Sequence, residues 1–176
     1  KFISFSAQRF DANAVNPYTP SAYSWPSTFT KEEEEYLTSE IQRLITLLDM
    51  KTSVFNIEVR VATNNKPYIM EFTPRGGGNR LCEMLRYATD VDMITAITRA
   101  MVGDEPEVIK QKPYNGHWAE IILHADKDGE FVGLQIDPTL PAEVVEEDLW
   151  VKPGDFVHGF EAANDAIGTL VLRFEN

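Results

Sequence analysis

The 176-residue chain reads as an α+β protein, and three observations carry that reading. Residues 54–80 hold two stretches of period-two alternation joined by a turn. Residues 30–48 place apolar side chains at helical spacing. The last third of the chain returns to alternating apolar runs.

In the first alternating stretch Phe55, Ile57, Val59 and Val61 interleave with Asn56, Glu58 and Arg60. In the second, Tyr68, Met70 and Phe72 interleave with Ile69, Glu71, Thr73 and Arg75. Asn64-Asn65 suits a two-residue turn, because asparagine tolerates the left-handed backbone that tight hairpins require. Counting outward from that turn sets Thr63 against Lys66, Val61 against Tyr68, Val59 against Met70 and Ile57 against Phe72, giving one apolar face. The same register sets Glu58 opposite Glu71 and Asn56 opposite Thr73 on the other face.

Two carboxylates facing each other across strands repel, and such a pair calls for a compensating charge. Arg60 and Arg75 flank the pair and could supply it as ion pairs on a polar sheet face. A hard divalent cation such as Mg²⁺, held by one or two carboxylates and completed by substrate phosphates, could do the same. The residues by themselves leave both open. After Pro74, the run Arg75-Gly76-Gly77-Gly78-Asn79 leads into a helix. A glycine run there lets backbone N–H groups approach an anion, although a triple glycine is also an ordinary flexible turn.

The run Phe-Asn-Ile-Glu58, followed by Ile-Met-Glu71-Phe-Thr73-Pro-Arg75-Gly-Gly-Gly-Asn79, resembles the metal-binding core of ATP-grasp enzymes. These are carboxylate–amine ligases of the type of the carbamoyl-phosphate synthase large chain, biotin carboxylase and phosphoribosylglycinamide synthetase. The resemblance covers residues 30–105 well and the remainder loosely. It implies the C-terminal half of that fold, an antiparallel sheet with flanking helices plus a small β-rich cap. It also implies an enzyme that activates a carboxylate as an acyl-phosphate with ATP and Mg²⁺ (or Mn²⁺), then ligates it to an amine and releases ADP and phosphate. Carried over residue by residue, Glu58 and Glu71 become metal ligands and Arg75 the cation facing the transferring phosphoryl group. Gly76, Gly77, Gly78 and Asn79 become contacts to nucleotide or substrate.

One position departs from the family pattern, which has asparagine where this chain has Thr73. A hydroxyl is a shorter and weaker ligand than an amide carbonyl. The register puts Asn56 across from Thr73, so the amide could come from the opposite strand, and Asn56 and Thr73 join the expected ligand set. A degenerate site that binds nucleotide without turnover is the alternative, and an acidic interaction module is a third reading.

Composition bounds these choices. The formal net charge of −12 lacks the basic footprint that a nucleic-acid partner needs. One cysteine, Cys82, excludes an internal disulfide and fits a reducing cytoplasm. No apolar run of membrane-spanning length occurs, and no signal peptide is visible. The opening KFISFSAQRF alternates like a strand from its first residue. This suggests a piece excised from a longer chain whose N-terminal half would be the first partner; a homodimer is the second. The expected domains are 1–105, holding the metal and phosphate site, and a β-rich cap at 106–176, joined through the charged, proline-containing stretch 104–113.

The other elements follow in order. Residues 11–29 hold three prolines and small polar residues, and read as a loop anchored by Tyr18, Tyr23, Trp25 and Phe29. Thr30 with Glu33 forms a capping box, and Leu37, Ile41, Leu44, Ile45 and Leu48 make the inward stripe of the helix that follows. Leu81, Met84, Leu85 and Ala88 mark a second helix, with Cys82 beside its stripe as packing. Asp90 or Asp92 opens a third, with Val91, Ile94, Ile97 and Met101 inward and Gly103 at its end. HWAEIILHA and FVGLQI, around Lys127-Asp128-Gly129, read as a hairpin, and TLVLRF at 169–174 as a last strand. His117, His124 and His158 have no metal-like spacing.

Overall fold

The computed structural model describes residues 2–51, 53–104 and 109–175. Its chain divides into two compact units, one drawn from 1–5 and 28–113 and the other from 6–27 and 114–176. The boundary expected at 105/106 lies outside the described residues. Residues 6–27, grouped by sequence with the first domain, belong to the second unit because their backbone is paired there.

In the first unit, helix α1 (Lys31–Leu47) opens with the expected capping box: Thr30 accepts from the Glu33 N–H and the Glu33 carboxylate accepts from the Thr30 N–H. Leu37 and Ile41 are buried and Leu44 and Ile45 half-buried, whereas Leu48 lies past the helix end and is exposed. The helix rests against the second strand of an antiparallel hairpin. We label the hairpin strands β3 (Asn56–Val61) and β4 (Pro67–Thr73), after two earlier strands of the second unit, β1 (Ala7–Phe10) and β2 (Pro20–Trp25).

Helices α2 (Leu81–Thr89) and α3 (Met93–Met101) complete this unit. Met84, Ala88 and Val91 are buried as expected. Asp92 is the N-cap of α3, accepting from the Thr95 N–H at 2.9 Å, and Gly103 ends it at φ +88°. Ile94 and Met101, expected inward, are 52% and 82% exposed, so the inward face of α3 narrows to Val91 and half-buried Ile97.

The second unit is built on a five-stranded antiparallel sheet in the order β1-β2-β5-β9-β7, with β5 His117–Leu123, β7 Glu143–Leu149 and β9 Gly168–Phe174. A two-stranded piece pairs β6 (Gly129–Glu130) with β8 (Phe156–Val157). Three expectations change here, and one further strand is found. The strand at the chain start is confined to Ala7–Phe10. Part of the 11–29 loop is strand β2, whose Trp25 faces Trp118 of β5 in register. The strand partners of β5 are β2 and β9, and FVGLQI is not a strand. Finally, the acidic stretch EVVEEDL is an edge strand.

The reason FVGLQI leaves the sheet is packing. Leu134 and Ile136 fold against the core of Ala119, Leu170 and Leu172, and Gly133 takes φ +149° to let them do so. Both faces of the central pair β5–β9 are buried, with Trp118, Ile122 and Val171 on one and Ala119, Leu170 and Leu172 on the other.

Candidate active site

The β3–β4 hairpin places the predicted residues as the sequence requires at its open end and not at its turn. Asn56 faces Thr73, Ile57 faces Phe72, and Glu58 faces Glu71. The Phe55 and Phe72 rings lie 4.9 Å apart beneath this end and anchor it. Toward the turn the pairing shifts by one residue: Val59 meets Ile69, Arg60 meets Tyr68 and Val61 meets Pro67. The expected pairs Val61–Tyr68 and Val59–Met70 are therefore absent, and Thr63 does not face Lys66.

Two departures cancel. The loop is a three-residue connection, with Ala62 N–H bonded to Lys66 O, Asn65 N–H to Ala62 O, and Asn65 at φ +58°. A bulge between Glu58 and Val59 then leaves Met70 as the extra residue of β4 and restores the register. In consequence Val61, Tyr68 and Met70, expected on an apolar face, are 48%, 45% and 63% exposed.

The cross-strand carboxylates are each fastened through one oxygen. Arg60 donates to Glu58 Oε1 from Nε at 3.0 Å and from Nη2 at 2.9 Å. The Thr73 hydroxyl donates to Glu71 Oε1 at 2.6 Å, a short charge-assisted bond. In both cases the donor stands two residues along the same strand, hence on the same face as its carboxylate. Arg75, the other expected counter-charge, turns instead to the Gly76 carbonyl, with Nη1 at 2.8 Å.

The glycine run lies close by. A methyl group on Gly77 would stand 3.1 Å from Asn56 Oδ1 and 2.5 Å from Leu81 Cδ1, crowding the Asn56 amide and colliding with Leu81. Gly76 is similarly close to the Cys82 thiol, at 3.0 Å, whereas Gly78 has open space. Burial raises the Cys82 pKa, partly offset by the Gly77 N–H directed at its sulfur. That N–H thus faces a half-buried thiol. Asn79 and Arg80 turn the chain into α2 through left-handed backbone at φ +49° and +57°. Arg80 pairs with Glu83 at 2.7 Å.

These residues suit a divalent cation by one test the structure provides. Two carboxylates meet across the strands, and the neutral Asn56 oxygen is kept beside them by a space that a Cβ at residue 77 would fill. Among the described residues no group of three or more His, Cys, Asp or Glu comes together to hold a metal. A metal held here would have a carboxylate pair plus neutral oxygens as its protein donors, the sparse contribution usual where phosphates complete a magnesium shell.

The fold is shared with solved enzymes. Phosphoribosylglycinamide synthetase from Anaerococcus prevotii matches 97% of this chain at a TM-score of 0.77 and 20% identity, over 44% of its own length. The chain has the ATP-grasp fold. L-amino acid ligase from Bacillus licheniformis matches 97% of it at a TM-score of 0.74 and 14% identity. The biotin carboxylase domain of Hydrogenobacter thermophilus 2-oxoglutarate carboxylase, solved with MgADP, ADP and bicarbonate, matches 94% at a TM-score of 0.64 and 16% identity. The chain spans less than half the length of each of these proteins. The uncharacterized protein y4rH of Sinorhizobium fredii is 28% identical over 134 residues, which cover 74% of this chain and 27% of that protein. No family model matches the sequence.

The histidines belong to the second unit. His124 Nε2 meets Asp11 Oδ2 at 3.1 Å and its Nδ1 meets the Ile122 carbonyl at 2.7 Å, with the ring stacked 4.2 Å from Phe160. His158 Nδ1 lies 3.5 Å from Asp128, and His117 is exposed. Sequence reasoning passed over Glu120, a fully buried carboxylate that lies in register with Tyr23 and Val171. The alternation HWAEIIL carries no signal that both faces of its strand are covered. Among the described residues no helix is long and apolar enough to cross a membrane.

Proposed function

We propose that this chain forms the metal- and phosphate-binding part of an ATP-dependent carboxylate–amine ligase. The observation that supports it best is the facing of Glu58 and Glu71 beside Asn56 and the glycine run, on a fold shared with such ligases. Glu58 and Glu71 hold magnesium (or manganese), with Asn56 as a neutral oxygen donor and Thr73 orienting Glu71. The bound metal supplies positive charge to the ATP phosphates. Arg75, released from the Gly76 carbonyl, offsets charge on the transferring phosphoryl group, while Gly76–Asn79 give the loop close approach to the substrate. Preplaced charge of this kind contributes several kcal/mol to phosphoryl transfer. The substrate carboxylate takes the γ-phosphoryl group from ATP, leaving ADP; an amine then attacks the acyl carbon and expels phosphate. In this reading an N-terminal half of the same parent chain completes the nucleotide site, and the setting is cytoplasmic.

The test is ATP consumption with Mg²⁺ across a panel of carboxylates and amines, in the protein that carries the missing half. ADP and phosphate appearing only with one acid–amine pair, and lost in Glu71→Gln, is the expected result. Turnover that survives Glu71→Gln would end the proposal.

A second reading, metal-dependent nucleotide binding without turnover, draws on the Thr73–Glu71 bond and on Arg75 turned to its own loop. Saturable nucleotide binding with no product from any pair would select it.

A further inference from the structure

We infer that Arg60 is a built-in counter-cation, occupying Glu58 when no metal is bound and competing with the metal for that carboxylate; the inference rests on the metal site proposed above. Three features carry it. Glu58 and Glu71 are cross-strand partners, so the unmetallated hairpin holds two like charges side by side. Arg60 meets this with two N–H groups on a single oxygen, Glu58 Oε1, at 2.9 and 3.0 Å. Among the described residues Glu71 receives only a neutral hydroxyl, from Thr73. The compensation is therefore one-sided: a full positive charge sits on Glu58 and none is bonded to Glu71.

A divalent cation arriving between the carboxylates meets the guanidinium already bound to one of them. It must either displace Arg60 from Oε1 or share Glu58 with a like charge only a few ångströms away. Both raise the concentration of free metal needed to fill the site. A metal that arrives with ATP brings phosphate oxygens, which can take up the displaced guanidinium. Arg60 thus disfavours the bare cation and favours the metal–nucleotide pair, a selectivity that Glu58 and Glu71 alone do not have.

The experiment titrates Mn²⁺, without nucleotide, into the 176-residue chain and its Arg60→Gln, Arg60→Lys and Glu71→Gln variants, reading binding by calorimetry and the manganese EPR signal. Arg60→Gln should bind about three- to tenfold more tightly than the unaltered chain at low ionic strength, and the gain should shrink near 0.5 M salt, where the Debye length is only about 4 Å. Arg60→Lys, which keeps the charge, should stay within about twofold. Equal or weaker binding by Arg60→Gln, while Glu71→Gln still abolishes binding, would overturn the competition and leave the metal site standing. Binding that Glu71→Gln leaves unchanged would overturn the metal site itself. Binding seen only in Arg60→Gln would support the inference in its strongest form. Arg60 is half-exposed, and circular dichroism of each variant before titration confirms the fold.

Discussion

Gly77 lies against Asn56: a Cβ placed on the glycine would stand 3.1 Å from the Asn56 side-chain oxygen and 2.9 Å from Leu81 Cβ. The second distance involves a carbon fixed to the α2 backbone, so rotation of a side chain cannot relieve it. Gly77→Ala should destabilise the chain by about 1–3 kcal/mol, the usual result of overpacking. Gly78→Ala, with open space, should stay within about 0.5 kcal/mol of the unaltered chain. Urea unfolding of the two variants checks this, and equal losses would refute the steric account.

Charge repulsion across β3 and β4 gives a prediction with opposite signs in two conditions. Without metal, Glu71→Gln should stabilise the hairpin unit by a few tenths of a kcal/mol, because it removes one of two facing charges. With millimolar Mg²⁺ the unaltered chain should gain melting temperature and Glu71→Gln should not. Thermal unfolding with and without Mg²⁺ separates the cases.

The Thr73 hydroxyl holds Glu71 at 2.6 Å. Thr73→Val keeps the shape and loses the bond, and should weaken manganese binding about tenfold or more, the usual loss when an orienting group is removed. Thr73→Ser should restore it. Europium luminescence lifetimes, which count bound waters, add a second criterion: an unchanged count in Thr73→Val marks an orienting role, and one extra water marks a lost ligand.

Helix α1 begins on the Thr30–Glu33 box, so Thr30→Ala should cost about 1 kcal/mol in a melting experiment. Glu33→Gln retains an acceptor and should lose less.

Acid should weaken both units at carboxylates whose pKa lies below the ordinary range. Asp11 is held low first by the Asn13 N–H and then by His124, and Asp92 first by the Thr95 N–H and then by its hydroxyl. A carboxylate with a depressed folded pKa contributes stability that is complete above its unfolded pKa and is lost as pH falls through the folded value. Stability should therefore hold from neutral pH to about pH 4 and decline below it. In Asp92→Asn the decline should be shallower, which urea midpoints at stepped pH would show.

What the sequence alone determined is what short-range chemistry encodes. The Thr30 cap, the start of α3 at Asp90 or Asp92, the α1 stripe through Leu37 and Ile41, and the facing of Glu58 with Glu71 all depend on residues close together in the chain. Even there the Glu58–Glu71 pairing came out right through compensation. The loop is one residue longer than the asparagine pair suggested, and the bulge at Met70 takes that residue up again.

Only the tertiary structure decided the second unit. Strand β2, from a proline-rich stretch, pairs with β5 almost a hundred residues later, Trp25 against Trp118. FVGLQI, an excellent local match for a strand, is drawn instead into the core around Leu170 and Leu172. Local pattern reports which faces of a segment are apolar and is silent on which distant segment will cover them. The same limit hid the ionic arrangement of the site. Arg60 and Arg75 both stand within four residues of a carboxylate, yet one binds Glu58 and the other its neighbouring carbonyl, because side-chain partners are settled by packing in three dimensions.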